Sequence, residues 1–149
     1  MISRYRAKQL LEYEFGKREF EPTDRLYIGL SSSNPIEMVA EPDESVGYSR
    51  CAIDNTYGAG VWSSVGESIK VDGDITKQLG SFSLANKIAF TFGMLTGTFA
   101  DSVTYWFISD AAVGGNILYY GQLVQPYDMV QDSQIIIPPG EMIITRTNE

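Results

Sequence analysis

Residues 102–146 read SVTYWFISDAAVGGNILYYGQLVQPYDMVQDSQIIIPPGEMIITR. The stretch divides into four extended segments joined by turn chemistry. They are Ser102–Ser109, a loop ending Gly114-Gly115-Asn116, Ile117–Val124, then Gln134–Ile137, the turn Pro138-Pro139-Gly140, and Glu141–Arg146. β-branched and aromatic residues suit a half-buried pleat, and Gly, Pro and Asn interrupt it. In the first segment Val103, Tyr105 and Phe107 alternate with Thr104, Trp106 and Ile108, so both faces are apolar. Such a strand belongs in the middle of a sandwich or at a subunit contact. Gly114-Gly115-Asn116 is followed by another strand rather than a helix, which makes it a hairpin connection and not a phosphate cradle.

The same period of two runs upstream. Leu26, Ile28 and Leu30 alternate with Arg25, Tyr27 and Gly29, and Ile88, Phe90 and Phe92 alternate with Lys87, Ala89 and Thr91. Further strands are expected at Ser49–Asp54 and Glu67–Asp72. About eight short strands with Gly and Pro punctuation predict an all-β fold, an antiparallel β-sandwich over residues 25–146. Two segments break the rhythm. Ser31–Gly47, with Asn34-Pro35 and Glu41-Pro42, reads as a long polar loop of the kind that often makes contacts. Gly73–Ala85 reads as a loop or a poor strand.

One α-helix is predicted at residues 3–15. Ser3 supplies an N-cap, and Ala7, Leu10, Leu11 and Phe15 share one face of a 3.6-residue period. Gly16 suits a helix end, with Lys17 and Arg18 beside the negative pole of the dipole. A short amphipathic helix cannot cover its own stripe, so it must dock on the sheet or on a neighbouring subunit. With 149 residues the whole chain, 1–149, is expected to form a single domain.

The formal charge of −8 is uneven. Residues 1–25 hold six basic and five acidic side chains, whereas the rest hold five basic and fourteen acidic. An acidic body repels phosphate backbones, which argues against nucleic-acid binding, and net negative charge favours solubility. No run approaches the roughly 18 apolar residues of a membrane helix, so no membrane partner is expected. Met1-Ile2-Ser3-Arg4 lacks an apolar signal core. Cys51, the only cysteine, has no partner for a disulfide within the chain.

The chain contains no histidine. That removes Ser-His-Asp and Cys-His nucleophilic systems and most zinc sites, and no cofactor or metal is expected. Cys51 lies inside an expected strand and reads as a small core residue rather than a nucleophile. A pair of carboxylates could hydrolyse a glycosidic bond, yet no acidic pair is marked by its setting, so no catalytic residue is assigned. Asp72-Gly73-Asp74 starts like a calcium loop but has Ser83 at the twelfth position, and it reads as a turn. Trp62, Trp106, Tyr119, Tyr120 and Tyr127 could form a platform for host cell-wall saccharides, since aromatic faces stack on apolar sugar faces. The same residues also suit a core or a subunit interface.

Several of these segments carry a resemblance. They are Leu26-Tyr27-Ile28-Gly29-Leu30 with Ser33-Asn34-Pro35, then Gly47-Tyr48-Ser49-Arg50, and Asn86-Lys87-Ile88-Ala89-Phe90. Downstream are Asp110-Ala111-Ala112 with Gly114-Gly115-Asn116-Ile117-Leu118-Tyr119-Tyr120-Gly121, and Ile137-Pro138-Pro139-Gly140-Glu141-Met142-Ile143-Ile144. Together with the N-terminal helix they make the chain similar to small tail or fibre proteins of tailed bacteriophages and prophages. The architecture resembles the helix-plus-β-sandwich shoulder module of receptor-binding proteins in phages of Gram-positive bacteria. Those proteins continue into a neck and a sugar-binding head, whereas this sequence ends at Asn148-Glu149. The resemblance therefore implies a non-enzymatic assembly or attachment module, made in the host cytoplasm and built into the virion tail. Its partners would be further copies, most simply as a trimer, and other tail proteins. Physics adds that a strand apolar on both faces must be covered twice. The expected subunit contacts are accordingly Leu10 and Leu11 on the helix and Trp106, Ile108, Tyr119 and Tyr120 on the sheet.

Overall fold

In a computed structural model, residues 1–19, 23–71 and 78–147 are described. They form one α-helix, α1 (Arg4–Glu14), a single 3-10 turn at Glu44–Val46, and nine strands: β1 (Arg25–Ser31), β2 (Cys51–Asp54), β3 (Gly66–Val71), β4 (Gln78–Ala85), β5 (Phe90–Thr91), β6 (Val103–Ser109), β7 (Ile117–Tyr127), β8 (Ile136–Ile137) and β9 (Ile143–Thr147). Every pairing is antiparallel. The strands make a four-stranded sheet in the order β2-β1-β6-β7, a three-stranded sheet β3-β4-β9 and the pair β5-β8. The expected all-β sandwich with one N-terminal helix is what the chain forms.

Register fixes which residues face inward. Leu30 lies opposite Trp106 and Ile28 opposite Ile108, while Cys51 and Ile53 oppose Ile28 and Leu26. These side chains share one cluster with Leu123 of β7. From the other side come Phe90 and Ile137 of the β5-β8 pair, with Phe92, Ile135 and Met142 from the flanking chain. A side chain as fully buried as Ile28, Leu30 or Phe90 contributes roughly 1.5–3 kcal/mol.

β6 shows how a strand apolar on both faces is covered without a second copy. Its largest rings lie over glycines of the neighbouring strands. A Cβ on Gly29 would stand 2.1 Å from the Phe107 ring, and one on Gly121 would stand 2.5 Å from the Trp106 ring. Phe107 is 0% exposed, Trp106 2% and Ile108 1%. The surplus face expected around Trp106, Ile108 and Tyr120 is therefore absent, because the chain itself buries all three.

Other expectations shift in detail. Gly73–Ala85 includes a true strand at Gln78–Ala85, held between β3 and β9. Its glycine and serines hide it from a hydrophobic pattern, but two flanking strands satisfy its backbone. The strand expected around Ile88–Phe92 shrinks to Phe90–Thr91, and Ile88 is exposed. Pro138-Pro139-Gly140 joins no hairpin: β8 pairs with β5, and β9 pairs with β4. The prolines lack ladder donors, so the turn moves the chain from one sheet to the other. Asp72-Gly73-Asp74 lies outside the described residues.

At the N-terminus the Ser3 hydroxyl accepts from the Arg6 N–H at 3.1 Å, and Gly16 takes φ +66° beyond the helix. Residues before the helix extend the large sheet. The Ser3 N–H donates to the Leu118 carbonyl, the Tyr120 N–H donates to the Met1 carbonyl, and Ile2 bridges Tyr119. No helical residue is fully buried.

Candidate interaction surfaces

The long loop after β1 is closed upon itself. The Ser31 hydroxyl donates to the Ser33 carbonyl at 2.7 Å and accepts from the Ala40 N–H at 3.0 Å. The loop then delivers Glu41 to a charged joint. The Arg50 Nε and Nη2 donate to the two Glu41 oxygens at 2.8 and 2.9 Å, a bidentate pair. Arg50 Nη1 donates to the carbonyls of Ala111 and Gly114 at 2.7 and 2.8 Å. The Tyr48 hydroxyl donates to Glu41 at 2.7 Å and accepts from the Leu30 N–H at 3.0 Å. Burial, reinforced by the Glu41 charge, pushes the Tyr48 phenol far above the usual tyrosine range, so it stays a neutral donor. The Arg50 guanidinium also lies 5.0 Å from the centre of the Phe107 ring and roofs the outer face of the large sheet.

The β6-β7 connection is shaped to reach this joint. Asp110 accepts from the Asn116 N–H at 2.7 Å and from its side-chain amide at 3.0 Å. Gly114 and Gly115 both have positive φ, and a Cβ on Gly115 would stand 2.5 Å from Asp110 Oδ1. A second joint lies at Asn86, which is 2% exposed. Its amide donates to the carbonyls of Ile88 and Pro138 at 2.8 and 3.0 Å, and its Oδ1 accepts from the Met142 N–H at 3.0 Å. One buried side chain thus fixes both ends of the Pro138-Pro139-Gly140 crossover.

Two adjoining clefts lie beside the large sheet. The first, about 310 Å³, is lined by Arg6, Asn55, Trp62 and Tyr119 over an apolar floor. The second, about 210 Å³, has Phe82 and Arg146 in its lining. Leu84, Tyr119 and Ile144 line both, so they form one groove. Trp62 is held edge-on to Phe90 and donates its indole N–H to Asn55 Oδ1 at 3.1 Å. A further groove of about 460 Å³, which shares Arg146 with the second cleft, runs between Ala7, Leu10 and Leu11 of the helix and Thr145 and Arg146 of β9.

The expected contact residues divide accordingly. Leu10 is half-buried, while Leu11 is 58% exposed and Phe15 66%. Tyr119 is half-buried in the cleft, and Trp106, Ile108 and Tyr120 are internal. Of the expected aromatic platform, Trp62 and Tyr119 meet in one groove. Trp106 and Tyr120 are buried, and Tyr127 lies apart, its hydroxyl donating to Glu141 at 3.3 Å. Cys51 packs against the core, and burial pushes its thiol up. Glu41, Tyr48, Arg50 and Asn86 carry no periodic signal. Their trace in the sequence is that Tyr48, Arg50 and Asn86 sit in segments that carry the resemblance and that Glu41 precedes a proline in a long polar loop.

Among the described residues no group of three or more His, Cys, Asp or Glu could hold a metal ion, and no helix is long and apolar enough to cross a membrane. No curated protein matches the chain. A family model described as podophage GP4 fiber I protein gp80 matches residues 1–145, covering the helix, both joints and the groove apart from Arg146, and the chain belongs to that family.

Proposed function

We propose that the chain is a non-enzymatic structural component of a phage tail fibre. It acts as a shoulder-like assembly module that joins further copies of itself, as a trimer, and other tail proteins. The observation that carries this reading is the helix. Its apolar stripe leaves Leu11 and Phe15 exposed in the isolated chain, beside a groove along β9. Within the described strands β9 pairs with β4 alone, so its other edge offers N–H and C=O groups next to that stripe. An apolar stripe beside a strand edge suits protein assembly. Fibre-like proteins favour threefold contacts, and closed cyclic symmetry uses one such surface once per subunit.

Sedimentation of the wild type and of Leu11→Asp at several concentrations tests this. Leu11 is mostly exposed, so Leu11→Ala should change monomer unfolding by less than about 0.5 kcal/mol, whereas Leu11→Asp should lower the oligomer order. A wild-type monomer at high concentration, together with absence of the protein from purified virions, would overturn the proposal. A second reading, recognition of host saccharides, is favoured by the convergence of Trp62, Tyr119 and Phe82 on one groove.

A further inference from the structure

The arginines of the Trp62–Tyr119–Phe82 groove carry the saccharide reading one step further. Beyond residue 25 the chain has fourteen acidic and five basic side chains, so any cation there has many potential partners. Arg50 takes Glu41, and Lys8 and Arg18 on the helix side both take Glu12. Arg6 and Arg146, like Arg4, Lys17, Arg25 and Lys87, belong to none of the ion pairs among the described residues, but these two are the ones that line the groove. Each lines one half of the groove, Arg6 in the cleft with Trp62 and Arg146 in the cleft with Phe82. Arg6 uses Nη1 on the Gln9 side-chain carbonyl at 2.6 Å, while its Nε is buried without a hydrogen-bond partner. That buried Nε is out of reach of the cleft, and Nη2, which makes no hydrogen bond among the described residues, is the donor left for a bound anion.

We infer that the groove binds a sugar chain bearing anionic groups, and this rests on the saccharide reading above. Tyr119, shared by both clefts, would stack on a sugar ring, with Trp62 lining one cleft and Phe82 the other. Arg6 and Arg146 meet carboxylate or phosphate substituents of successive residues. The groove is therefore selective for acidic over neutral chains, although the body around it is acidic. That acidity sets a requirement: binding must be geometric and short-ranged, since the net field repels polyanions.

The test is calorimetric titration with trigalacturonate, with glucose 6-phosphate and with neutral maltotriose. Trigalacturonate or glucose 6-phosphate should bind, and the one that does identifies the anionic group as carboxylate or phosphate. Arg6→Gln and Arg146→Gln should each weaken binding about fivefold, Tyr119→Ala by about tenfold or more, and 0.5 M NaCl should weaken it further. Equal binding of maltotriose, unchanged by Arg6→Gln, overturns the inference and leaves the saccharide reading standing. Acidic binding that survives Tyr119→Ala together with Arg6→Gln overturns the site. No binding of any of the three at millimolar concentration removes both readings. Unfolding curves of the variants, expected to match the wild type, separate lost binding from lost fold.

Discussion

Arg50→Ala should be the most damaging single truncation of a charged residue in this chain. The Arg50 side chain is 7% exposed and its partner Glu41 21%. Four hydrogen bonds depend on it, two to the Glu41 carboxylate and one each to the Ala111 and Gly114 carbonyls. Removing one member of a buried pair typically costs 3–5 kcal/mol, because the other charge is left uncompensated. Glu41 retains some contact with water and the Tyr48 hydroxyl, which places the cost near the lower end, about 3 kcal/mol. Against a total stability of roughly 5–15 kcal/mol for a domain that is a large fraction. It corresponds to a fall in melting temperature of roughly 6–12 °C at this chain length.

The assay is urea unfolding of Arg50→Ala, Glu41→Gln and the double variant. The double variant should cost at least about 1 kcal/mol less than the sum of the singles, since the second change removes a charge already stranded by the first. Amide exchange should show the first openings in residues 110–116, whose carbonyls Arg50 holds. Lys8→Ala breaks a 3.7 Å pair whose lysine is 77% exposed and serves as the control, with an expected cost below about 0.5 kcal/mol. The reasoning is refuted if Arg50→Ala matches Lys8→Ala, or if the two single costs simply add. Either result would mean that water replaces the pair freely and that the joint is ornamental.

Asn86→Ala should cost about 2 kcal/mol by urea unfolding, because it strands the buried Met142 N–H and frees two partly buried carbonyls; a loss below about 1 kcal/mol would show that the crossover is held elsewhere. Gly114→Ala and Gly115→Ala both place a side chain at positive φ, but only Gly115 also meets Asp110 and Ala111, so its melting temperature should fall further; equal shifts would contradict the clash. Stability should decline at alkaline pH. Tyr48 has its folded pKa raised above the unfolded value near 10, so its contribution is complete below about pH 10. It is lost as pH rises further, by up to about 1.4 kcal/mol per pH unit. Tyr48→Phe should flatten that part of the alkaline slope, and an unchanged slope would assign it to other groups.

The period-two alternation of β1 and β6 was legible because hydrophobic faces write themselves into sequence. The helix was equally plain from its cap and stripe. What the pattern could not separate was coverage by a second copy from coverage by the chain's own aromatic rings. Trp106 and Phe107 look like a surplus until Gly121 and Gly29 are placed beneath them, and that pairing is a matter of register. β4 was obscured by Gly80, Ser81 and Ser83, since a strand flanked on both sides is fixed by backbone bonds as much as by side chains. Pro138-Pro139-Gly140 announced a turn correctly but said nothing of where the chain goes next.

Several of the segments that carry the resemblance form joints. Gly47-Tyr48-Ser49-Arg50 and Asp110–Asn116 meet at the Glu41 pair, and Asn86 meets the Pro138-Pro139-Gly140 crossover. A sandwich core tolerates exchange among apolar residues of similar volume. A bidentate arginine or a saturated buried amide does not, because each alternative strands polar groups. Such residues hold loops and crossovers in place while taking no part in the outward face. On that division Arg50 and Asn86 shape the module, and the exposed helix stripe and the groove beside Tyr119 are the surfaces proposed for its contacts.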